Sequence, residues 1–283
     1  MDACDGLQRF IFEHAEIRGE IARLEEAYQV IVEQRNYPLA VKKILGEALV
    51  ACLLLVGSIK FEGELCLQFQ GNTALPMLIV QCDHQLHLRG FAKFAEGLTS
   101  EDYEHAFLDG QLSFMISQSH QTEIFQSIIP ISSTSMSQNL MNFFSQSEQI
   151  ATQIMIAIDN KRVVGMLLQL LPGQDTSQRE EFWDYAVKIG QTVTPDELLN
   201  LPNQEILYRL YHETEIRLLL EKTAQFKCRC NAEKMQNVLK MLGQEDVNQL
   251  LQEYEKIEVV CDFCNHKYYF DSIDIAMLFR EGR

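Results

Sequence analysis

Four cysteines near the end of the chain constrain its folding more than any other feature. They stand as Cys228-Arg229-Cys230 and Cys261-Asp262-Phe263-Cys264, two close pairs separated by a long stretch of helical periodicity. Four thiolates match the tetrahedral preference of Zn²⁺, so the spacing predicts one zinc ion held by Cys228, Cys230, Cys261 and Cys264. The second pair falls in a turn between two strand-like stretches, Ile257 to Val260 and Tyr268 to Phe270, as in a zinc ribbon. The Cys-x-Cys pair needs an extended local backbone, and His266 stands close enough to compete as a ligand. The section from 228 to 283 is small. Below roughly 70–80 residues a core rarely supplies more than about 3–5 kcal/mol, whereas structural zinc binding is worth on the order of 10–16 kcal/mol at neutral pH. This section is therefore expected to unfold when the metal leaves. An oxidant can drive that loss, because bound thiolates remain sulfur nucleophiles and each close pair can then form its own disulfide. A Cys-x-Cys bridge lies near the geometric limit and should be readily reduced, which suits a reversible switch better than a permanent staple.

The other four of the 8 cysteines, Cys4, Cys52, Cys66 and Cys82, stand alone and read as small buried hydrophobes. Cys82, Asp83, His84 and His87 read as a hairpin with two surface histidines, not as a second metal site. The N-terminus is acidic and has no secretory pattern. The longest apolar run, Ala48 to Val56, has nine residues, well short of the roughly 20 that span a bilayer, and reads as a buried core helix. A cytoplasmic location without membrane contact is expected, where thiols stay reduced and patterned cysteines point to metal or redox chemistry.

The fold class expected is α+β. Strand-like sequence from Phe10 through Ile21, with Gly19 as a bulge, leads into a helix from Leu24 to about Gln34. A second helix starts at Pro38 and stops near Gly57. Alternation marks strands at Leu65 to Phe69, Met77 to Val80, Leu86 to Leu88, Leu112 to Ile116 and Ile124 to Ile131. A helix lies within 132–148, and Ile154 to Ile158 pairs with Val163 to Leu171 around Asp159-Asn160-Lys161. Adjacent hairpins with helices grouped apart indicate a layered core domain, 1–174. Composition shifts at Pro172-Gly173, and residues 175–227 read as a helical linker. It has a capped start at Thr194-Pro195-Asp196-Glu197 and an amphipathic helix from Glu205 to Leu220. This linker carries 10 acids and 6 bases and has no evident core of its own.

Charge and motifs exclude other functions. The formal net charge is -16, and the section from 228 to 283 carries 7 bases against 10 acids. A zinc-ribbon module for nucleic acid would need a basic face. A dithiol oxidoreductase would place Cys261 and Cys264 at the start of a helix, where the sequence here reads as strand. Hydrolase, kinase and zinc-protease motifs are absent from the sequence.

The chain resembles the thirty-three-kilodalton chaperonin family, the redox-regulated heat-shock holdases of bacteria, over nearly its full length. Phe226-Lys227-Cys228-x-Cys230 and Cys261-Asp262-x-Cys264 resemble that family's zinc centre. Supporting stretches include Arg18-Gly19-Glu20, Leu45-Gly46-Glu47, Lys60-Phe61-x-Gly63, Gly165-Met166-Leu167-Leu168-Gln169 and Arg209-Leu210-Tyr211-His212-Glu213. Two positions depart from it: Gln126-Ser127 stands where the family tends to have a strand glycine, and Asn265 replaces a common Gly. The resemblance implies a non-enzymatic, ATP-independent chaperone that is monomeric and inactive while reduced and zinc-bound. Peroxide with heat, or hypochlorite, would oxidise the cysteines to the disulfides Cys228–Cys230 and Cys261–Cys264. Zinc would be lost, linker and switch section would unfold, and the chain would bind unfolding client proteins, often as a homodimer. Leu198, Leu199, Ile206 and Leu210 are then expected to shield apolar surface of the core domain until the linker is released. The sequence assigns no client-binding residues.

Overall fold

The computed structural model describes residues 5–119, 124–173 and 177–280. The chain forms two compact units, Met1–Lys227 and Cys228–Arg283. Cys4 lies outside the described residues, as do 174–176 at the composition shift.

The first unit opens with strands β1 (Gly6–Phe12) and β2 (Ile17–Leu24), then helices α1 (Glu26–Glu33) and α2 (Leu39–Ser58). Strands β3 (Gly63–Gln70), β4 (Met77–Asp83) and β5 (His87–Lys93) lead to α3 (Ser100–Leu108). Next come β6 (Gln111–Gln118), β7 (Ile124–Ile129), α4 (Met136–Phe143), β8 (Thr152–Ile158) and β9 (Val163–Leu170). The unit ends with helices α5 (Ser177–Gly190), α6 (Pro195–Asn200) and α7 (Asn203–Tyr211), and short strands β10 (Ile216–Leu218), β11 (Lys222–Thr223) and β12 (Gln225–Phe226). One sheet has the order β10-β1-β2-β9-β8, with β11 also on β1; the other runs β12-β5-β4-β3-β6-β7. This is the α+β architecture that the hairpins imply.

Helix α2 carries the long apolar run and packs against β2 and β9 of one sheet and β4 and β5 of the other. Leu45, Leu49, Leu53 and Cys52 are all fully buried, because a helix apolar on every side is satisfied only inside a core. No helix among the described residues is long and apolar enough to cross a membrane.

Two local expectations change. Gly19 is not a bulge: the ladder runs through it unbroken, opposite Phe10 on one side and Leu168 on the other. Its missing Cβ leaves the space that the Phe10 ring fills. The helix expected from Glu205 to Leu220 stops at Tyr211, and Ile216–Leu218 instead pairs antiparallel with Phe10–Phe12. Without that pairing, the outer edge of β1 would present an open row of backbone donors and acceptors.

Helices α5 to α7 cover the face of the first sheet that α2 leaves free. Phe10, Phe12, Ile21, Met166 and Leu168 form one cluster with Ala186, Leu198, Leu199, Ile206 and Tyr211, and Leu210 packs at its rim. Full burial of each such side chain stabilises by about 1.5–3 kcal/mol. A polar clamp adds to this contact. Buried Arg23 of β2 donates to the carbonyls of Leu199 (2.8 Å), Leu198 (3.1 Å) and Leu201 (2.9 Å) at the C-terminal end of α6. A cation there satisfies carbonyls that the helix leaves without intrahelical partners.

The second unit comprises α8 (Ala232–Leu242), α9 (Gln244–Glu253), β13 (Ile257–Val260), β14 (Lys267–Phe270) and α10 (Ser272–Leu278). Its buried apolar cluster is six residues: Leu239, Val247, Ile257, Phe270, Ile275 and Leu278. Several apolar side chains stay outside it, among them Met241, Tyr254 and Ile273. That core is too small to carry the unit alone.

Candidate metal centre

The backbone around the second cysteine pair is a tight knuckle joining β13 to β14. The amide of Cys261 donates to the His266 carbonyl (3.0 Å), and that of Asn265 returns to the Cys261 carbonyl (2.9 Å). Asn265 has φ +54°, a left-handed conformation that Asn tolerates better than other side-chain-bearing residues. The Asn in place of Gly therefore keeps the turn. No helix begins at this pair, which removes the usual setting of a Cys-x-x-Cys oxidoreductase. The first pair lies in irregular chain before α8, whose start is set by the Asn231 side chain accepting from the Lys234 amide at 2.8 Å.

These two segments bring the sulfurs of Cys228, Cys230, Cys261 and Cys264 within 4.8 Å of one another. Cys228 Sγ is 3.7 Å from Cys261 Sγ, and Cys230 Sγ is 3.5 Å from Cys264 Sγ. Tetrahedral Zn–S bonds of about 2.3 Å place sulfurs roughly 3.8 Å apart, so the donor set fits that ion. Its outer contacts fit as well. Tyr268 donates its hydroxyl to Cys230 Sγ at 3.1 Å. The amides of Phe263 and Cys264 donate to the Cys261 sulfur, and that of His266 to Cys264. Such bonds orient thiolate ligands and offset their charge. His266 packs edge-on against Tyr268, ring centroids 4.6 Å apart, and is not part of the cluster.

Electrostatics make the same point. Burial pushes the Cys261 thiol up, and burial and the neighbouring thiols do so for Cys264. For Cys230 burial acts the same way, but hydrogen bonds from Tyr268 and the other cysteines outweigh it and pull the thiol down. Four sulfurs this close cannot all be thiolates unless a cation offsets their mutual repulsion, and a thiophilic dication supplies that charge.

The remaining described cysteines differ. Cys52, Cys66 and Cys82 are buried in the first unit, and burial raises each thiol, so they are unreactive as nucleophiles. Cys82, Asp83, His84 and His87 do not converge. Asp83 accepts from the amides of Gln85 and His87, both at 3.0 Å, and its carboxylate holds His87 Nδ1 at 2.9 Å. His84 turns instead to the backbone of Gly63. His87 is thus a half-buried partner of Asp83 and not a free surface histidine. Among the described residues, the four-cysteine group is the one cluster of its kind.

A family model described as Hsp33 protein matches residues 5–271 of this chain. The chain belongs to the Hsp33 family. The 33 kDa chaperonin of Pseudomonas savastanoi pv. phaseolicola is 38% identical over 284 residues, covering 98% of this chain and 94% of that protein. The 33 kDa chaperonin of Nitrosococcus oceani is 35% identical over 281 residues, covering 99% and 96%. In fold, the chain is similar to the 33 kDa chaperonin (heat shock protein 33 homolog) of Thermotoga maritima, with a TM-score of 0.82 at 22% identity over 98% of this chain and 99% of that one. Membership of the Hsp33 family makes this a heat-shock chaperone, the class that the motifs around the cysteine pairs indicate. Polar groups that sequence reasoning passed over, Arg23 and Glu20, also sit at key places of this Hsp33 fold. Glu20 stood inside a family motif, but nothing local showed that it is buried.

Proposed function

We propose that this protein is a redox-regulated, ATP-independent holdase, inactive when reduced and active when its four clustered cysteines are oxidised. The observation that carries the reading is the approach of four sulfurs to within 4.8 Å in a unit whose buried cluster has six residues. Cys228, Cys230, Cys261 and Cys264 would hold one zinc ion, which when bound supplies compensating charge and a crosslink between the two pairs. Peroxide accepts two electrons from one thiolate, giving a sulfenic acid and hydroxide. The neighbouring thiolate attacks that sulfur, forming a disulfide and releasing a second hydroxide. The disulfides would be Cys228–Cys230 and Cys261–Cys264. All four sulfurs already lie within 4.8 Å of one another in the folded unit, and pairing within each close pair closes the shorter loops, which is favoured.

In this reading 1–174 is the chaperone core, 175–227 the linker and 228–283 the switch. The burial of Leu198, Leu199 and Ile206 on the first sheet supports a linker that shields apolar surface while docked. Its release would offer that surface to unfolding clients. Monomers when reduced, dimers when oxidised and a reducing cytoplasm complete the proposal, and no catalytic residue is assigned.

The test follows zinc release and free thiols during peroxide treatment, alongside light scattering of a heat-denatured client. One zinc and four thiols should disappear together, with scattering suppressed only afterwards. Equal suppression by reduced, zinc-loaded protein would refute the switch.

A further inference from the structure

A second site lies in the first unit, where β1, β2 and the end of α2 meet the chain at 219–222. They enclose a cleft of about 440 Å³, within the range of sites for small organic ligands. Its charged lining is Arg9, Arg18, Lys60 and Lys222, with His84 at the edge and Glu20 as the single acid. That is a basic concavity in a chain of net charge -16. Lys60 and Lys222 are exposed and have no ion-pair partner among the described residues.

The floor is polar and incompletely satisfied. The Glu20 side chain is 1% exposed, and Arg9 Nε stands 3.3 Å from its Oε1. That approach is out of line for hydrogen bonding, and neither carboxyl oxygen nor Arg9 Nε has a well-formed hydrogen bond within the protein. Buried polar atoms of this kind normally have a partner. Other groups here are committed: Arg9 bonds the Gly57 carbonyl, and Arg18 bonds Gln169 through Nε (3.1 Å) and Nη2 (2.6 Å). These bonds orient the two guanidinium groups in the cleft. One wall is apolar, built from Leu7, Phe61 and Leu219.

We propose that this cleft binds a small amphipathic anion, its oxyanion head held by Lys60, Lys222 and Arg18 and its short apolar body lying against Leu7, Phe61 and Leu219. Charge selects the head, and the apolar wall selects what the head is attached to. Burial pushes the Glu20 carboxyl up to about 8, so near neutral pH it is mostly protonated and can donate a hydrogen bond to the ligand. The charged groups facing it are Arg9 from β1, Arg18 from β2, Lys60 after α2, His84 before β5 and Lys222 from β11.

The test uses the full reduced protein and three probes followed by amide chemical shifts: benzoate, sulfate and benzyl alcohol. Benzoate should bind with a Kd tighter than about 1 mM, shifting the amides of Gly19, Gly57 and Lys60. Sulfate, which lacks the body, and benzyl alcohol, which lacks the charge, should each bind at least about tenfold more weakly. The surface substitutions Lys60→Gln and Lys222→Gln together should weaken benzoate about tenfold without altering the remaining spectrum. Wild-type affinity should fall as pH rises from 7 to 9, and Glu20→Gln should abolish that fall. Benzoate shifts that are absent, that scatter away from the cleft, or that survive the double substitution would overturn the proposal. Equal binding of sulfate or benzyl alcohol would overturn it too.

Discussion

Replacing Arg23 with Met isolates the contact that holds α6 on the first sheet. Arg23 is 4% exposed and bonds three carbonyls at the end of α6, with a longer contact of 3.3 Å to Asn203 Oδ1. A hydrogen bond from a charged donor is worth about 1.5–3 kcal/mol, and the carbonyls left behind would be buried without partners. Two bonds at the lower value already amount to about 3 kcal/mol, a shift of roughly a hundredfold in the docking equilibrium. Met fills similar volume, so the apolar packing of Leu198 and Leu199 is largely kept. The assay is native-state hydrogen exchange on the reduced, zinc-loaded protein, with client light scattering in parallel. Amides of α6 and α7 should lose protection by about that factor, while those of β3 and β4 keep theirs. Scattering should be partly suppressed without oxidant. Arg23→Lys should fall between, since one ammonium cannot reproduce the guanidinium fork. Unchanged exchange in α6 would refute the clamp, and equal loss in β3 and β4 would show that Arg23 supports the whole unit instead.

Other perturbations have definite expectations. Cys264→Ser should lower zinc stoichiometry and leave α8 to α10 unprotected in hydrogen exchange, because the cluster of Leu239, Val247 and Phe270 is too small to hold them. Glu20 ties stability to pH: its carboxyl sits at about 8 in the fold against 4.5 for the free side chain. The folded chain keeps a proton that the unfolded chain releases, so stability should fall as pH rises from about 5 to 8, by at most about 1.4 kcal/mol per pH unit. Denaturant titrations of wild type and Glu20→Gln should diverge across that window and run parallel above it. Gly57→Ala should destabilise despite its better helix propensity, because the new Cβ would collide with the Glu20 carboxylate and Leu7. Overpacking of this kind costs about 1–3 kcal/mol, readable as a lowered denaturation midpoint.

The metal centre was legible because metal ligands obey short-range spacing. Two sulfurs so close in sequence must be presented by a local turn, and the knuckle at 261–266 is held by bonds within that segment. The apolar run of α2 was legible because nine consecutive apolar residues can only be buried in a chain of this kind. Helix α3 is missing from the sequence-based expectation, although Thr99 and Asp102 form a reciprocal cap that the sequence displays. Chain 212–220 reads as helix because Ile216 and Leu218 suit either period, and the deciding partner, β1, lies near the opposite end of the sequence. Glu20 and Arg23 were unreadable for a related reason. Strand β2 is covered on both faces, by α2 on one side and α5 to α7 on the other, so alternation no longer separates inside from outside.

By itself the amino-acid sequence determined the family, the α+β class and the four cysteines, because each depends on residue type and spacing along the chain. Tertiary structure alone decided where the buried ionisable groups go. It placed Arg23 beneath α6, where carbonyls from a distant segment partner its charge, and Glu20 beneath a basic cleft, where burial favours the neutral carboxyl.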